Sequence, residues 1–200
     1  MNRMSLGVAA ATGLLLAVPA AQAIPITYQA TLSGPAESPP NASPGTGSAT
    51  VIIDTTANSL SVDVSFANLL TATTASHIHC CTTVPFAGTA GVATQVPTFV
   101  DFPLGVTAGT YSHIFDLSAA ATWNPAFIAA NGGTPLAAEA VLATGLSLGE
   151  AYLNIHTTQF PNGEIRGFLA PASAAAVPEP ATLALLGIGL LGLGRARRRT

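Results

Sequence analysis

The sequence predicts an all-β domain, an antiparallel Greek-key β-sandwich or barrel with two short helices in one connection. Three observations support this prediction. Apolar and polar residues alternate strictly over residues 60–66, short apolar and β-branched runs recur from residue 26 to residue 169, and Pro161-Asn162-Gly163 is a strong hairpin-turn signal. An N-terminal signal peptide and a C-terminal apolar helix flank the predicted domain, which we assign to residues 24–171.

The strands of this domain are predicted in order along the chain. They lie at residues 26–32, 49–54, 60–66, 76–80, 109–117, 151–157 and 164–169, and a hairpin over residues 55–58 joins the second strand to the third. The two helices begin at Pro125 and Pro135, and Gly132 and Gly145 are expected to end them, since proline favours the first turn of a helix and glycine the position after the last.

The charge distribution excludes a nucleic-acid-binding protein. Between residues 24 and 177 there is one basic residue, Arg166, against eight acidic ones. Proteins that bind nucleic acids need clustered cations to neutralise phosphates, and this segment has none. We therefore expect no nucleic-acid partner.

The N-terminus has the three parts of a secretory signal peptide over residues 1–23. Arg3 supplies the positive start, an apolar stretch follows, and Ala21-Gln22-Ala23 is a small-residue cleavage site. We expect cleavage after Ala23. The alternative is a retained membrane anchor, which the short apolar stretch and the good cleavage pattern disfavour.

The C-terminus has a second set of three parts, after a short spacer over residues 172–176. These parts are Val177-Pro178-Glu179-Pro180, an apolar run over residues 181–194, and a basic end with Arg195, Arg197, Arg198 and Arg199. A helix of 14 residues spans only about 21 Å, less than the roughly 30 Å of a membrane core. We therefore expect transient anchoring in the inner membrane, with the main domain outside.

The order of these parts over residues 177–200 resembles the bacterial PEP-CTERM sorting signal. The resemblance implies an exosortase-type membrane transpeptidase as a partner, cleavage near Pro178-Glu179-Pro180, and delivery to the cell surface or extracellular matrix. It also implies an association with bacteria that make exopolysaccharide. The alternative is an ordinary tail anchor.

Strand alternation assigns the histidines to particular faces. His77 and His79 share one face of their strand while Ile78 lies on the other, and His156 shares a face with Tyr152 and Asn154. If the apolar residues face the core, these polar faces point to solvent. Across the Pro161-Asn162-Gly163 turn, the alternation predicts that His156 pairs with Glu164 and Asn154 with Arg166.

His77, His79 and His156 form the candidate metal site. A His-x-His pair on a strand presents both imidazoles on one face, and a third imidazole completes a set that copper or zinc prefers. Glu164 is the candidate residue to orient one of them. The alternative interpretation is a solvated or loop-covered polar surface that holds no cofactor.

Cys80 and Cys81 follow the second histidine directly. Export favours oxidation, but a bridge between neighbours is constrained, because adjacent Cα atoms are only about 3.8 Å apart and ordinary bridges span about 4.4–6.8 Å. Three states remain open: a disulfide between the two, two free thiols with a redox role, or thiolate ligation beside the histidines.

Several segments carry a second resemblance. "SHIHCC", "FPLGVTAGTYSHIFDL", "NPAFIAANGGTPLAAEA" and "GEAYLNIHTTQFPNGEIRGFL" are similar to the CHRD domain, named from the extracellular protein chordin. The resemblance implies an extracellular, all-β domain with no established enzymatic activity. No nucleophile elbow, Walker motif or His-Glu-x-x-His motif is present in the sequence, so we predict no enzyme and no catalytic residues.

Together these features predict an exported, non-catalytic protein of the cell surface or extracellular matrix. The first alternative is a copper- or zinc-binding or redox protein that uses the three histidines. The second is an exopolysaccharide-binding module, suggested by the expected exposure of Tyr152 and Asn154.

Overall fold

The computed structural model describes residues 24–172. The predicted signal peptide with Ala21 and Ala23, most of the spacer, and the whole C-terminal segment from Val177 lie outside these residues. Among the residues that are described, no helix is both long enough and apolar enough to cross a membrane.

The prediction of an all-β, antiparallel fold with two helices is confirmed. The strands are β1 (Ile26–Ser33), β2 (Thr46–Asp54), β3 (Ser59–Ala67), β4 (Thr73–His79), β5 (Gly109–Asp116), β6 (Tyr152–Thr157), β7 (Ile165–Phe168) and β8 (Ala170–Pro171). The helices are α1 (Pro125–Ala130) and α2 (Pro135–Leu148), and two single turns of 3₁₀ helix occur at Gly34–Ala36 and Ala120–Thr122.

These strands form one antiparallel sheet that curls into a half-barrel. Its order is β4-β6-β7-β1-β2-β3-β5, with β8 paired to β1. In β3 the alternation fixes the faces as predicted: Leu60, Val62, Val64 and Phe66 are buried, while the residues between them are not. The apolar face of the sheet therefore packs into the core and a polar face remains on β1, β2, β3 and β5.

The other end of the sheet is buried on both faces, so the prediction that the histidine faces point to solvent is wrong. Every residue of β6 is buried, including Tyr152, Asn154 and His156, and His77 and His79 on β4 are only 6% and 8% exposed. The physical reason is the long connection between β4 and β5, whose backbone lies across this face and accepts hydrogen bonds from both histidines of β4.

The second helix is longer than predicted. α2 continues through Gly145 and ends at Gly149, which has the left-handed φ of 72° that suits a helix C-cap. Gly145 has a packing role instead. A Cβ atom placed there would lie 2.4 Å from the sulfur of Cys80 and 2.5 Å from that of Cys81, so only glycine lets the helix pack against these sulfurs.

We predict that Gly145→Ala destabilises the protein by about 1–3 kcal/mol, because the added methyl overpacks the contact with the two sulfurs. Without that contact the same change would stabilise the helix by about 1 kcal/mol, since alanine is the better helix former. Urea unfolding under non-reducing conditions measures the difference. Gly91→Ala is the matched control, because a Cβ atom there meets nothing within 4 Å, and we expect a change within about 0.5 kcal/mol. A Gly145→Ala protein at least as stable as the wild type would contradict the packing role.

Candidate metal centre

Two strands bring the three histidines together. His77 and His79 lie two residues apart on β4, and His156 lies on the neighbouring strand β6, where it pairs with Ala75. One ring nitrogen from each histidine lies within 4.8 Å of the other two, and Nδ1 of His77 is 3.4 Å from Nε2 of His156. We call these three residues the histidine cluster.

The other nitrogen of each ring faces a backbone carbonyl. Nε2 of His77 is 2.6 Å from the oxygen of Pro97, Nδ1 of His79 is 2.9 Å from that of Ala90, and Nδ1 of His156 is 3.0 Å from that of Pro161. A carbonyl oxygen only accepts hydrogen bonds, so each of these nitrogens carries the proton of its neutral ring.

These tautomers leave three lone pairs inside the cluster. They belong to Nδ1 of His77, Nε2 of His79 and Nε2 of His156. The two that face each other at 3.4 Å are both acceptors and cannot hydrogen-bond to one another, and Nε2 of His79 is buried with no partner among residues 24–172. Such unsatisfied buried acceptors are costly unless a donor or a cation meets them.

Burial keeps the three rings neutral. It lowers the pKa of His77 to about 4. The hydrogen bond to Pro97 raises this pKa and the neighbouring His156 lowers it, but burial has the largest effect. The pKa of His79 is also lowered to about 4 by burial, and that of His156 is lowered for the same reason. At neutral pH the lone pairs are therefore free to bind a metal ion.

The spacing of the cluster suits a small tetrahedral ion. Zinc–nitrogen bonds of about 2.0–2.1 Å place tetrahedral ligands about 3.3 Å apart, which the His77–His156 pair already matches at 3.4 Å. The longer separations, up to 4.8 Å, involve His79, which has to approach by about 1.5 Å to complete the set. The residues present thus fit copper or zinc, both of which imidazole suits.

Glu164 does not orient a histidine, so that prediction is wrong. Its carboxylate accepts hydrogen bonds from the Ser43 hydroxyl at 2.6 Å, the Leu70 amide at 2.7 Å and the Thr157 hydroxyl at 2.7 Å. These partners hold the carboxylate away from the cluster and satisfy both of its oxygens. Backbone carbonyls take the orienting role instead.

Sequence reasoning found the polar residues beside the cluster but missed their burial. Asn154 pairs with His77 on one side and, as predicted, with Arg166 on the other. The Arg166 guanidinium lies 4.7 Å from the centre of the Tyr152 ring, on which the His79 ring also stacks at 4.8 Å. The burial of these residues follows from the same covering connection.

Glu37 is the counter-charge of Arg166. One of its carboxylate oxygens lies 3.8 Å from Nε of Arg166, and both side chains are buried. Burial raises the pKa of Glu37 to about 7, although Arg166 opposes that shift. The segment around Pro39, which follows Gly34–Ala36 and is rich in proline, has no strand or helix pattern. No sequence signal therefore placed Glu37 beside Arg166.

Cys80 and Cys81 are joined to each other by a disulfide, which was one of the three open states. Both cysteines of the chain are used in this bridge, so neither a free thiol nor a thiolate ligand remains. β4 ends at His79, and the disulfide begins the connection that covers the cluster. The fourth histidine, His113, lies on β5 opposite Val62, outside the cluster.

Comparison with known proteins gives two matches along the chain. A family model described as the CHRD domain matches residues 28–169, and one described as the PEP-CTERM protein-sorting motif matches residues 176–199. No curated protein and no solved structure matches. The first model covers the sheet from Tyr28 to Leu169, all but the start of β1 and the short strand β8, and includes the histidine cluster.

Proposed function

We propose that this chain, which belongs to the CHRD-domain family, is an exported protein whose CHRD domain binds one copper or zinc ion through His77, His79 and His156. Export itself follows from the PEP-CTERM motif, which implies processing by an exosortase-type membrane enzyme. The proposal concerns binding and assigns no reaction to the domain.

One observation carries this proposal: three unprotonated imidazole nitrogens meet in a buried place. Each ring is oriented by a backbone carbonyl on its far side, which is the arrangement that metal-ligating histidines use to fix their tautomer. Copper and zinc both accept three imidazoles, so the donor set does not choose between them.

The alternative of a polar surface without a cofactor keeps only its loop-covered form, and that form leaves the inner nitrogens of the rings unsatisfied. Histidines at the surface hydrogen-bond to water, whereas these three are 6–8% exposed and have lone pairs with no donor in the described part of the chain. Desolvating a polar atom without a partner costs roughly 1–3 kcal/mol, and a bound cation would remove that cost.

The exopolysaccharide-binding alternative loses the observation that suggested it. Tyr152 and Asn154 were expected on an exposed face, but each is only 2% exposed. The Tyr152 hydroxyl is held within the covering connection at Ala90, 3.2 Å away. A carbohydrate has no access to either side chain without removal of that connection.

We expect the full chain, purified without a histidine tag, to retain one copper or zinc ion. His79→Ala removes one of three ligands and should weaken metal binding by at least about 100-fold. Loss of a residue that only hydrogen-bonds to a metal ligand weakens binding by about 10–100-fold, and loss of the ligand itself should have a larger effect. Metal analysis after gel filtration measures the stoichiometry, and thermal unfolding measures the stabilisation, about 2.7 kcal/mol at a free metal concentration 100 times Kd.

His113→Ala is the matched control, because it removes the one histidine outside the cluster and should leave the metal content unchanged. Circular dichroism verifies that each variant folds. A wild-type protein that retains no metal and whose Tm does not change with copper or zinc would overturn the proposed function.

We further propose that the sorted protein remains at the cell surface or in the extracellular matrix. Replacing Pro178-Glu179-Pro180 with alanines preserves the apolar run and the basic end, so an ordinary tail anchor would be unaffected. An exosortase substrate should instead lose its processing and its surface location. Mass spectrometry and fractionation of the producing cells check this, and an unchanged mass and distribution would contradict the proposal.

A further inference from the structure

The histidine cluster brings no negative charge to a bound metal ion. Its three ligands are neutral imidazoles, and the described residues place no carboxylate or thiolate in the same group of ligand atoms. On the proposed function, a divalent ion bound there would keep its full charge. That charge would be buried, since each ring is more than nine-tenths hidden from solvent.

The nearby groups that carry or can carry a negative charge are already engaged. Cys80 and Cys81 are joined in a disulfide, and the Glu164 carboxylate accepts hydrogen bonds from three other groups. Glu37 lies 3.8 Å from Arg166 and serves as its counter-ion. No protein group in this part of the chain is left to neutralise the metal ion.

Arg166 is already paired with Glu37, so the metal ion would be the uncompensated positive charge at this end of the sheet. The Arg166 guanidinium lies over the Tyr152 ring, and the His79 ring stacks on the same tyrosine. A buried charge without compensation is strongly disfavoured in a medium of low dielectric constant, and a bound anion is the remaining way to reduce it. The electrostatics of the site thus favour a negatively charged ligand.

The ligand count points the same way. Structural metal sites are closed by four protein ligands, whereas three protein ligands leave a position for an external molecule. The three rings are 6%, 8% and 8% exposed, so the approach to the metal is narrow. A ligand of a few atoms fits this description better than a bulky one.

We infer that the metal ion held by His77, His79 and His156 takes a small external monoanion as its fourth ligand. This inference rests on the proposed function and extends it, because it names the chemical class of the molecule that the site receives. Hydroxide from solvent belongs to this class, and other small monoanions compete with it for the same position.

The test is an azide titration of the copper(II)-loaded full chain, after gel filtration has removed free copper. We expect a new charge-transfer absorption band and a shifted electron paramagnetic resonance spectrum, both saturating at one azide per copper. Perchlorate, which carries the same charge but coordinates weakly, should produce neither change at equal ionic strength. The His113→Ala protein should reproduce the wild-type titration.

The outcomes separate the two proposals. Stoichiometric copper with no azide-dependent band would overturn this inference and leave the proposed function intact. A chain that retains no copper would overturn both. A band of equal intensity in the His79→Ala protein would mean that azide binds copper elsewhere, which would also overturn the inference.

Discussion

Three hydrogen bonds from imidazole N–H groups to backbone carbonyls determine what the buried end of this sheet can do. The carbonyls of Pro97, Ala90 and Pro161 each fix one ring of the histidine cluster and assign its proton to the outer nitrogen. The inner nitrogens are then acceptors that face one another across 3.4 to 4.8 Å. Neither a hydrogen bond between the rings nor bulk water satisfies them, so the arrangement is suited to a cation.

The fold provides these carbonyls through its loops rather than its strands. The connection from Cys80 to the start of β5 supplies two of them, and the turn after β6 supplies the third. The disulfide between Cys80 and Cys81 begins that connection and packs against α2 at Gly145. The covering loop therefore lies against the helix at one end and holds two rings of the histidine cluster further along.

Alternation along strands predicted the membership of the cluster but not its environment. Side chains along a strand alternate with a period of two residues, which places His77 and His79 on one face, and sheet pairing brings His156 beside them. The sequence was therefore enough to predict which histidines form the cluster. Their burial depends on a long connection with no periodicity, which a pattern cannot place in space. Glu164 was misassigned because two of the three partners of its carboxylate are distant in sequence, Leu70 by 94 residues and Ser43 by 121. The carbonyls that do orient the rings belong to the backbone of every residue and carry no sequence signal.

The protonation state of the three rings tests this account most directly. Long-range proton–nitrogen correlation spectra of the metal-free chain at neutral pH distinguish the protonated nitrogen of each histidine from the free one. The account predicts protonation at Nε2 for His77 and at Nδ1 for His79 and His156. A proton on Nδ1 of His77, or a doubly protonated ring among the three at that pH, would contradict it, because the lone pairs would then not converge.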